Sequence, residues 1–271
     1  MEVEKFLAIR RDDRFSPNSV ERDRQILELT CEEIKRRVGL TADIPMIDEA
    51  DLADCPTVAD CYISMARSAE ALHVLSAMET NGGLVVNTPE SVGRCRRSLL
   101  DCFMRKHHVP MPDDDSSQGF WLKRGDAAAQ SDKDVVYCRD SNALESAKAA
   151  FRARGIEDMV VSPHVSGDLV KFYGVGTRLF KYFYPSDDGI SKFGDEARNG
   201  RAHHYAFDVQ ALQADVVRLA ELIGIDVYGG DAIVGKDGRY YIIDFNDWPS
   251  FSRCKEEAAT AIAVEILSKR A

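Results

Sequence analysis

Three hard oxygen donors lie close together near the end of the sequence: Asp231, Asp244 and Asn246. Asp244 and Asn246 are two residues apart, so on a strand their side chains share one face. The apolar runs 229–234 and 240–245 flank Lys236-Asp237-Gly238-Arg239, and the Asp-Gly pair supplies the positive φ of a tight turn. A β-hairpin is therefore expected, with Asp231 roughly opposite the other two. Such a set suits Mg²⁺, which takes one or two carboxylates and completes its shell with water and phosphate.

The cations upstream complement these acids. Lys123, Lys171, Arg178 and Lys181 fall on or beside expected strands, and Arg96 and Arg97 on an expected helix. A metal beside Lys and Arg side chains is what a magnesium nucleotide requires, the metal bridging phosphates and the cations taking the remaining oxygens. The sequence contains no Gly-x-Ser-x-Gly, His-Glu-x-x-His or P-loop pattern, and no Gly-x-Gly-x-x-Gly after a strand, so nucleophilic and zinc catalysis are not expected.

The rest of the chain must position these groups. With 271 residues, 45% of them hydrophobic, it can bury a core as one large domain or two smaller ones. A net charge of −10 argues against nucleic acid or anionic membrane as a partner. Seven scattered cysteines with no Cys-x-x-Cys pair argue against a disulfide framework and for a reducing compartment. The opening Met-Glu-Val-Glu-Lys-Phe-Leu lacks the basic start and apolar run of a secretory signal, and a cytoplasmic location is expected.

Residues 5–10 read as a strand. Apolar positions at Leu27, Cys31, Ile34 and Val38 predict a helix from Val20 that Gly39 ends. Residues 44–54 read as irregular, 61–65 as a strand, 68–79 as a helix and 84–86 as a third strand. This β-α-β-α-β order predicts a small parallel sheet. Thr88 and Pro89 open a helix whose stripe is Val92, Cys95, Leu99 and Phe103. Strands at 120–123, 134–138, 160–161, 169–175 and 180–184 follow, with a helix over 143–154. The polar stretch 187–202 is long for a passive connection and is expected to be a mobile lid. A helix over 212–223 with its stripe at Leu212, Val216, Leu219 and Ile223 precedes the hairpin, and a helix over 256–269 closes the chain. Asp247 is expected in the turn after the hairpin, with Trp248 and Phe251 as core and turn packing under the metal site. Arg10, Arg14 and Arg67 fall near strand ends, where an open α/β sheet places ligands.

In this order the features resemble the ATP-grasp superfamily over nearly the whole chain, with likeness to ribosomal-protein glutamate ligases and glutathione-synthetase-like ligases. The most specific motif is Ile243-Asp244-x-Asn246 followed by Trp248-Pro249 after a hairpin. The resemblance implies an α/β (α+β) ATP-grasp fold: an N-terminal parallel α/β domain over 1–88, then an ATP-grasp domain over 89–271 whose two α+β subdomains, 89–160 and 161–271, clasp ATP. It implies ATP contacts from Lys123 and Lys171, and a hinge at Val161, Pro163, His164, Val165 and Asp168 that holds adenine by main-chain groups. Arg97-Ser98 stands where many members carry Asp-Lys, so the phosphate role passes to Arg97, and Ser162-Pro163 stands where a hinge Glu is common. Asp231, Asp244 and Asn246 match the metal ligands, for Mg²⁺ or alternatively Mn²⁺. Arg178 and Lys181 are the candidates for catalytic cations.

The commonest chemistry of the fold is ligation, in which ATP activates a carboxylate as an acyl-phosphate and an amine displaces phosphate. The expected partners are ATP and a small-molecule or peptide acceptor, and a homodimer is plausible by analogy. Residues 166–176 and the Ile-Asp-x-Asn-x-x-Pro ending also resemble inositol polyphosphate kinases of the same fold. That gives a second reading, phosphorylation of a hydroxyl, with Arg10, Arg67, Arg178, Arg198, Arg201 and the pairs His107-His108 and His203-His204 as the acceptor pocket. A non-catalytic nucleotide-binding protein is the third.

Overall fold

Alternation along short buried strands sets up the first layer. The fold comes from a computed structural model, which describes residues 5–55, 58–113, 117–126, 131–188 and 200–270. Strands β1 (Phe6–Arg10), β2 (Met46–Asp48), β3 (Cys61–Ser64) and β4 (Leu84–Val86) form a parallel sheet in the order β2-β1-β3-β4. Phe6, Ala8, Cys61 and Ile63 face helix α1 (Val20–Val38), while Leu7, Ile9, Tyr62 and Val85 face α2 (Ala69–Thr80). Both faces are covered, as a parallel sheet requires. Gly39, at φ 76°, ends α1 by donating its N–H to Lys35, and the Ser68 hydroxyl caps α2 by accepting from Ala71.

The irregular reading of residues 44–54 is corrected, since they contain β2 and a short helical turn over Glu49–Asp54. A three-residue edge strand is too short to show a period.

After β4 the helix expected as one piece is two, α3 (Pro89–Arg94) and α4 (Arg97–Lys106), because Arg96 is extended at φ −59°, ψ 131°. The break shifts the helical phase. Leu100 and Met104 are buried, whereas Leu99 is 52% exposed. Strands β5 (Phe120–Arg124), β6 (Val135–Cys138) and β7 (Met159–Pro163) form an antiparallel sheet, β6-β5-β7, backed by α5 (Ser141–Ala153) through Leu144 and Phe151.

A third sheet, ordered β11-β10-β8-β9, contains β8 (Asp168–Val175), β9 (Leu179–Phe183), β10 (Val227–Val234) and β11 (Tyr240–Asp247). Residues Pro185–Asp188 form the short α6, and α7 (Val209–Ile223) lays its expected stripe on one face of this sheet. Leu212, Val216, Leu219 and Ile223 are fully buried, each contributing about 1.5–3 kcal/mol. Strand β9 has no fully exposed face, because Phe180 and Tyr182 pack toward α7 and Leu179 and Phe183 toward the C-terminal helix α8 (Lys255–Ser268).

Helix α8 also packs on α1, and its core cluster joins Phe6, Cys61 and Ile63 to Val175, Val227 and Trp248. A buried asparagine fastens the same junction. The Asn87 side chain donates to the Val227 carbonyl at 2.8 Å and accepts from the N–H groups of Asp226 and Val227 at 3.1 and 2.8 Å. Asn87→Ala orphans these buried groups and is expected to lower stability by about 3 kcal/mol, read as a lower urea midpoint.

Candidate active site

The hairpin register decides where the acids stand. Asp231 pairs with Asp244 and Gly229 with Asn246, so all three oxygen-bearing side chains share one sheet face. The register then shifts by one between Asp231 and Ala232, which pairs with Ile242 and leaves Ile243 as the extra residue of a β-bulge. A bulge frees a carbonyl from the ladder, and Lys123, reaching across from β5, donates its Nζ to Ile243 O at 2.8 Å. The bulge thus joins the two antiparallel sheets through a lysine that is 8% exposed. Between Phe172 and β11 no side chain fits at Gly230, where a Cβ would lie 2.2 Å from Asp244 O.

Lys171, opposite Asp231 on β8, holds its carboxylate at 2.5 Å. Arg97 enters because α4 starts afresh after the break. Ser98 anchors that start, its N–H donating to Gly125 O and its hydroxyl to Asp158. The Arg97 guanidinium then gives Nη1 to Arg124 O at 2.9 Å and sets Nη2 3.6 Å from Asp244 Oδ2. Its buried Nε has no hydrogen-bond partner among the described residues. Burial alone would raise the Asp244 pKa, but Arg97, Lys123, a hydrogen bond from Asn246 and Lys171 together hold it below the ordinary carboxylate range. Burial, reinforced by Arg97, lowers the Lys123 pKa against the opposing pull of Asp244, Asp231 and Asp101.

The structure therefore brings together Arg97, Lys123, Lys171, Asp231, Asp244 and Asn246. Among the described residues no three or more His, Cys, Asp and Glu side chains converge as a metal-binding group. The donor set here is two carboxylates and an amide, hard oxygens that fit Mg²⁺ and carry no preference for a soft metal. Three cations facing two carboxylates make the cleft complementary to a polyphosphate.

Two residues back along β5, Trp121 shares the face of Lys123. Its indole N–H donates to His164 Nδ1 at 3.1 Å, and the Tyr137 ring meets Trp121 and His164 edge-on at 5.6 and 5.4 Å. Of the hinge residues, Val161 lies on the opposite face, packed against the α5 core, and Pro163 pairs with Phe120. His164, part of this aromatic patch, and Val165 are half-buried. Gly167 leaves no room for a side chain, a Cβ there lying 2.3 Å from Val234 O. The buried Asp168 accepts from the N–H groups of His203 and Tyr205 at 2.7 and 2.9 Å, so its carboxylate serves the backbone.

Arg178 and Lys181 are not brought to the cluster. Arg178 pairs with Glu265 at 2.7 Å and donates to Ser268, and Lys181 pairs with Glu257 at 2.7 Å, all three partners on α8. Arg10 is held by Asp48 and Arg14 by Asp12. His203 and His204 are exposed. Most of the expected lid, residues 189–199 including Arg198, lies outside the described residues. Its flanks are tied, Asp188 to Arg253 at 2.6 Å and Ala202 N–H to Ser186 Oγ at 2.9 Å.

Asp247, expected in a turn, is corrected: it is the last residue of β11, buried, and bound by Arg67 and by Arg11. Arg11 was not among the sequence candidates. The adjacent Arg10-Arg11 pair was the available signal, since neighbouring side chains at a strand end point to opposite sides.

No family model matches the sequence, and no curated protein matches it by sequence. Solved structures do match. The chain aligns with D-alanine–D-alanine ligase from Bacillus anthracis complexed with ATP at a TM-score of 0.67 and 11% identity, covering 98% of this chain and 97% of that one. It aligns with a RimK domain ATP-grasp protein from Sphaerobacter thermophilus at 0.63 and 18% identity, covering 97% and 99%. It aligns with the ATP-grasp ligase PsnB complexed with a minimal precursor at 0.60 and 12% identity, covering 97% and 99%. The chain has the ATP-grasp fold. Among the described residues no helix is long and apolar enough to cross a membrane.

Proposed function

We propose that this chain is an ATP- and Mg²⁺-dependent carboxylate–amine ligase. The observation that carries the reading is the single sheet face bearing Asp231, Asp244 and Asn246, met by Lys171, Lys123 and Arg97. Support for the nucleotide and the reaction class comes from structures of the same fold described as ligases complexed with ATP, or with Mg and ADP.

In this reading Lys123, Lys171 and Arg97 grip the phosphate oxygens of ATP. Arg97 contributes a fork that can take two oxygens at once, and Lys123 and Lys171 contribute point charges. Asp231, Asp244 and Asn246 would hold Mg²⁺, which when bound supplies a Lewis acid at the phosphate oxygens. The Trp121, Tyr137 and His164 patch offers rings beside the base, with main-chain groups of 161–165 within the same edge. A carboxylate oxygen of the substrate attacks the γ-phosphorus, the bond to the β,γ-bridging oxygen breaks, and ADP leaves. An amine then attacks the acyl carbon and expels inorganic phosphate, losing its proton to solvent. Because the substrate supplies both nucleophiles, the chain's task is positioning and charge compensation. Arg178 and Lys181, held by α8, take no step.

The test is ADP release screened against amino acids, dipeptides, short peptides and inositol phosphates. Release that needs both an acid and an amine, with one phosphate formed per ADP, is the expected result. A phosphorylated alcohol as product would replace this reading with a kinase. Tight ATP binding with no stimulated turnover in any class would replace it with a non-catalytic nucleotide-binding protein.

A further inference from the structure

We propose that Arg67 and Arg11, both held in place through Glu49, are positioning residues: they clamp Asp247 and so fix Asn246 and Asp244 at the metal end of the cleft. The inference rests on the ligase reading for what the cleft binds, and on geometry for the clamp itself.

The construction begins at the carboxyl ends of the parallel strands. Glu49, in the turn after β2, is buried, and its carboxylate accepts the N–H groups of Asp12 at 2.6 Å, Arg67 at 2.9 Å and Ser68 at 2.7 Å. One carboxylate thereby organises the loops that follow β1 and β3. Those loops present Arg11 and Arg67. Arg11 is braced further by Met65 O at 3.1 Å and Asp23 Oδ2 at 3.3 Å.

Both guanidinium groups converge on the end of β11. Arg67 gives Nη2 to Asp247 Oδ1 at 2.7 Å, Nε to Oδ2 at 3.0 Å, and Nη2 to the Asp247 main-chain carbonyl at 3.0 Å. Arg11 gives Nη2 to Asp247 Oδ2 and to the Trp248 carbonyl, each at 3.0 Å. Two side-chain oxygens and two successive carbonyls are thus gripped at one point. The chain beyond leaves in the left-handed region at Trp248, φ 28°, and again at Phe251, φ 45°, costly for such side chains unless the surroundings impose it.

Stability alone does not account for the clamp. Arg11 and Asp247 side chains are 5% exposed and Arg67 12%, and an ion pair buried this deeply gains little net over an apolar replacement. What the charges provide is a fixed geometry. Asn246 and Asp247 are adjacent on a strand, so their side chains point to opposite faces, one into the cleft and one into the clamp. Asn246 and Asp244, two residues apart on β11, stand side by side on that cleft face. Any rotation of the Asp247 peptide moves the oxygen set directly.

The test uses the full chain with Arg67→Met, Arg67→Lys and Asp247→Asn, and with Arg10→Met as control, since Arg10 sits at the same strand end but pairs with the exposed Asp48. Two quantities are read: the Mg²⁺ concentration that half-saturates ATP binding, and hydrogen exchange across the chain. The clamp predicts a half-saturating Mg²⁺ about 10-fold higher or more in Arg67→Met, a smaller rise in Arg67→Lys, and none in Arg10→Met. ATP affinity at saturating Mg²⁺ stays within about twofold, and faster exchange is confined to β11 and the turn after it. An unchanged Mg²⁺ requirement in a folded Arg67→Met, or uniformly faster exchange, overturns the proposal. If Arg67→Met does not fold, Asp247→Asn, nearly isosteric, decides on the same readouts. Wild-type protein that binds ATP without regard to Mg²⁺ would instead sink the ligase reading, and with it any metal-directed role for the clamp.

Discussion

Asp244→Ala is expected to lower the rate of ADP release at saturating ATP and Mg²⁺ by about a thousandfold, several kcal/mol of transition-state stabilisation. Asp244 is the residue on which the site converges: it faces Asp231 across the hairpin, receives a hydrogen bond from Asn246, and has Arg97 at 3.6 Å. The proposed metal role needs its charge, so Asp244→Asn, which keeps the shape, is expected to lose nearly as much. The fold should survive. Arg97 keeps its bond to Arg124 O, and the hairpin register is held by the remaining ladder pairs. A thermal midpoint close to wild type with turnover lost places the effect in chemistry; a melted variant would place it in structure.

Lys123→Met is expected to cost about 10²- to 10³-fold in kcat/KM for ATP, the range for removing one preorganised donor from developing charge. Lys123 is the bridge between the sheets, bound to the bulge carbonyl of Ile243 and close to both acids. Lys123→Arg should rescue little, since a bulkier planar guanidinium does not fit a slot cut for a compact ammonium. The loss should appear in KM for ATP as well as in kcat. A variant that lost stability while retaining kcat/KM would make Lys123 a structural strut.

What the sequence carried clearly was local. Asp231, Asp244 and Asn246 were legible because strand parity and an Asp-Gly turn are enough to put them on one face. The α7 stripe and the Gly39 end of α1 were legible for the same reason, each depending on neighbours within one or two turns. The break between α3 and α4 was not, because the contacts that hold it, Ser98 to Asp158 and to Gly125, come from elsewhere in the chain. Arg97 is legible as a cation of the site, but its direction depends on that break. Asp247 shows the limit most plainly: its partner Arg67 lies 180 residues away. The sequence places Asp247 in the turn after the hairpin, and nothing in the local pattern reveals that the strand runs on to it and meets a buried pair of arginines. For Arg178 and Lys181 the charge is legible and the neighbour is not, since α8 covers β9 and the turn before it through residues some eighty positions later in the chain.

The Asp231, Asp244 and Asn246 face, proposed as the metal end of an ATP site, is open to direct measurement. Calorimetric titration of ATP into wild type and Asp244→Ala, each with excess Mg²⁺ and with a chelator, tests it most directly. Mg²⁺ is expected to tighten ATP binding to wild type about tenfold or more, and Asp244→Ala to lose this dependence while its metal-free affinity stays within about threefold. Equal ATP affinity with and without Mg²⁺ in wild type, or full metal dependence retained in Asp244→Ala, would contradict it.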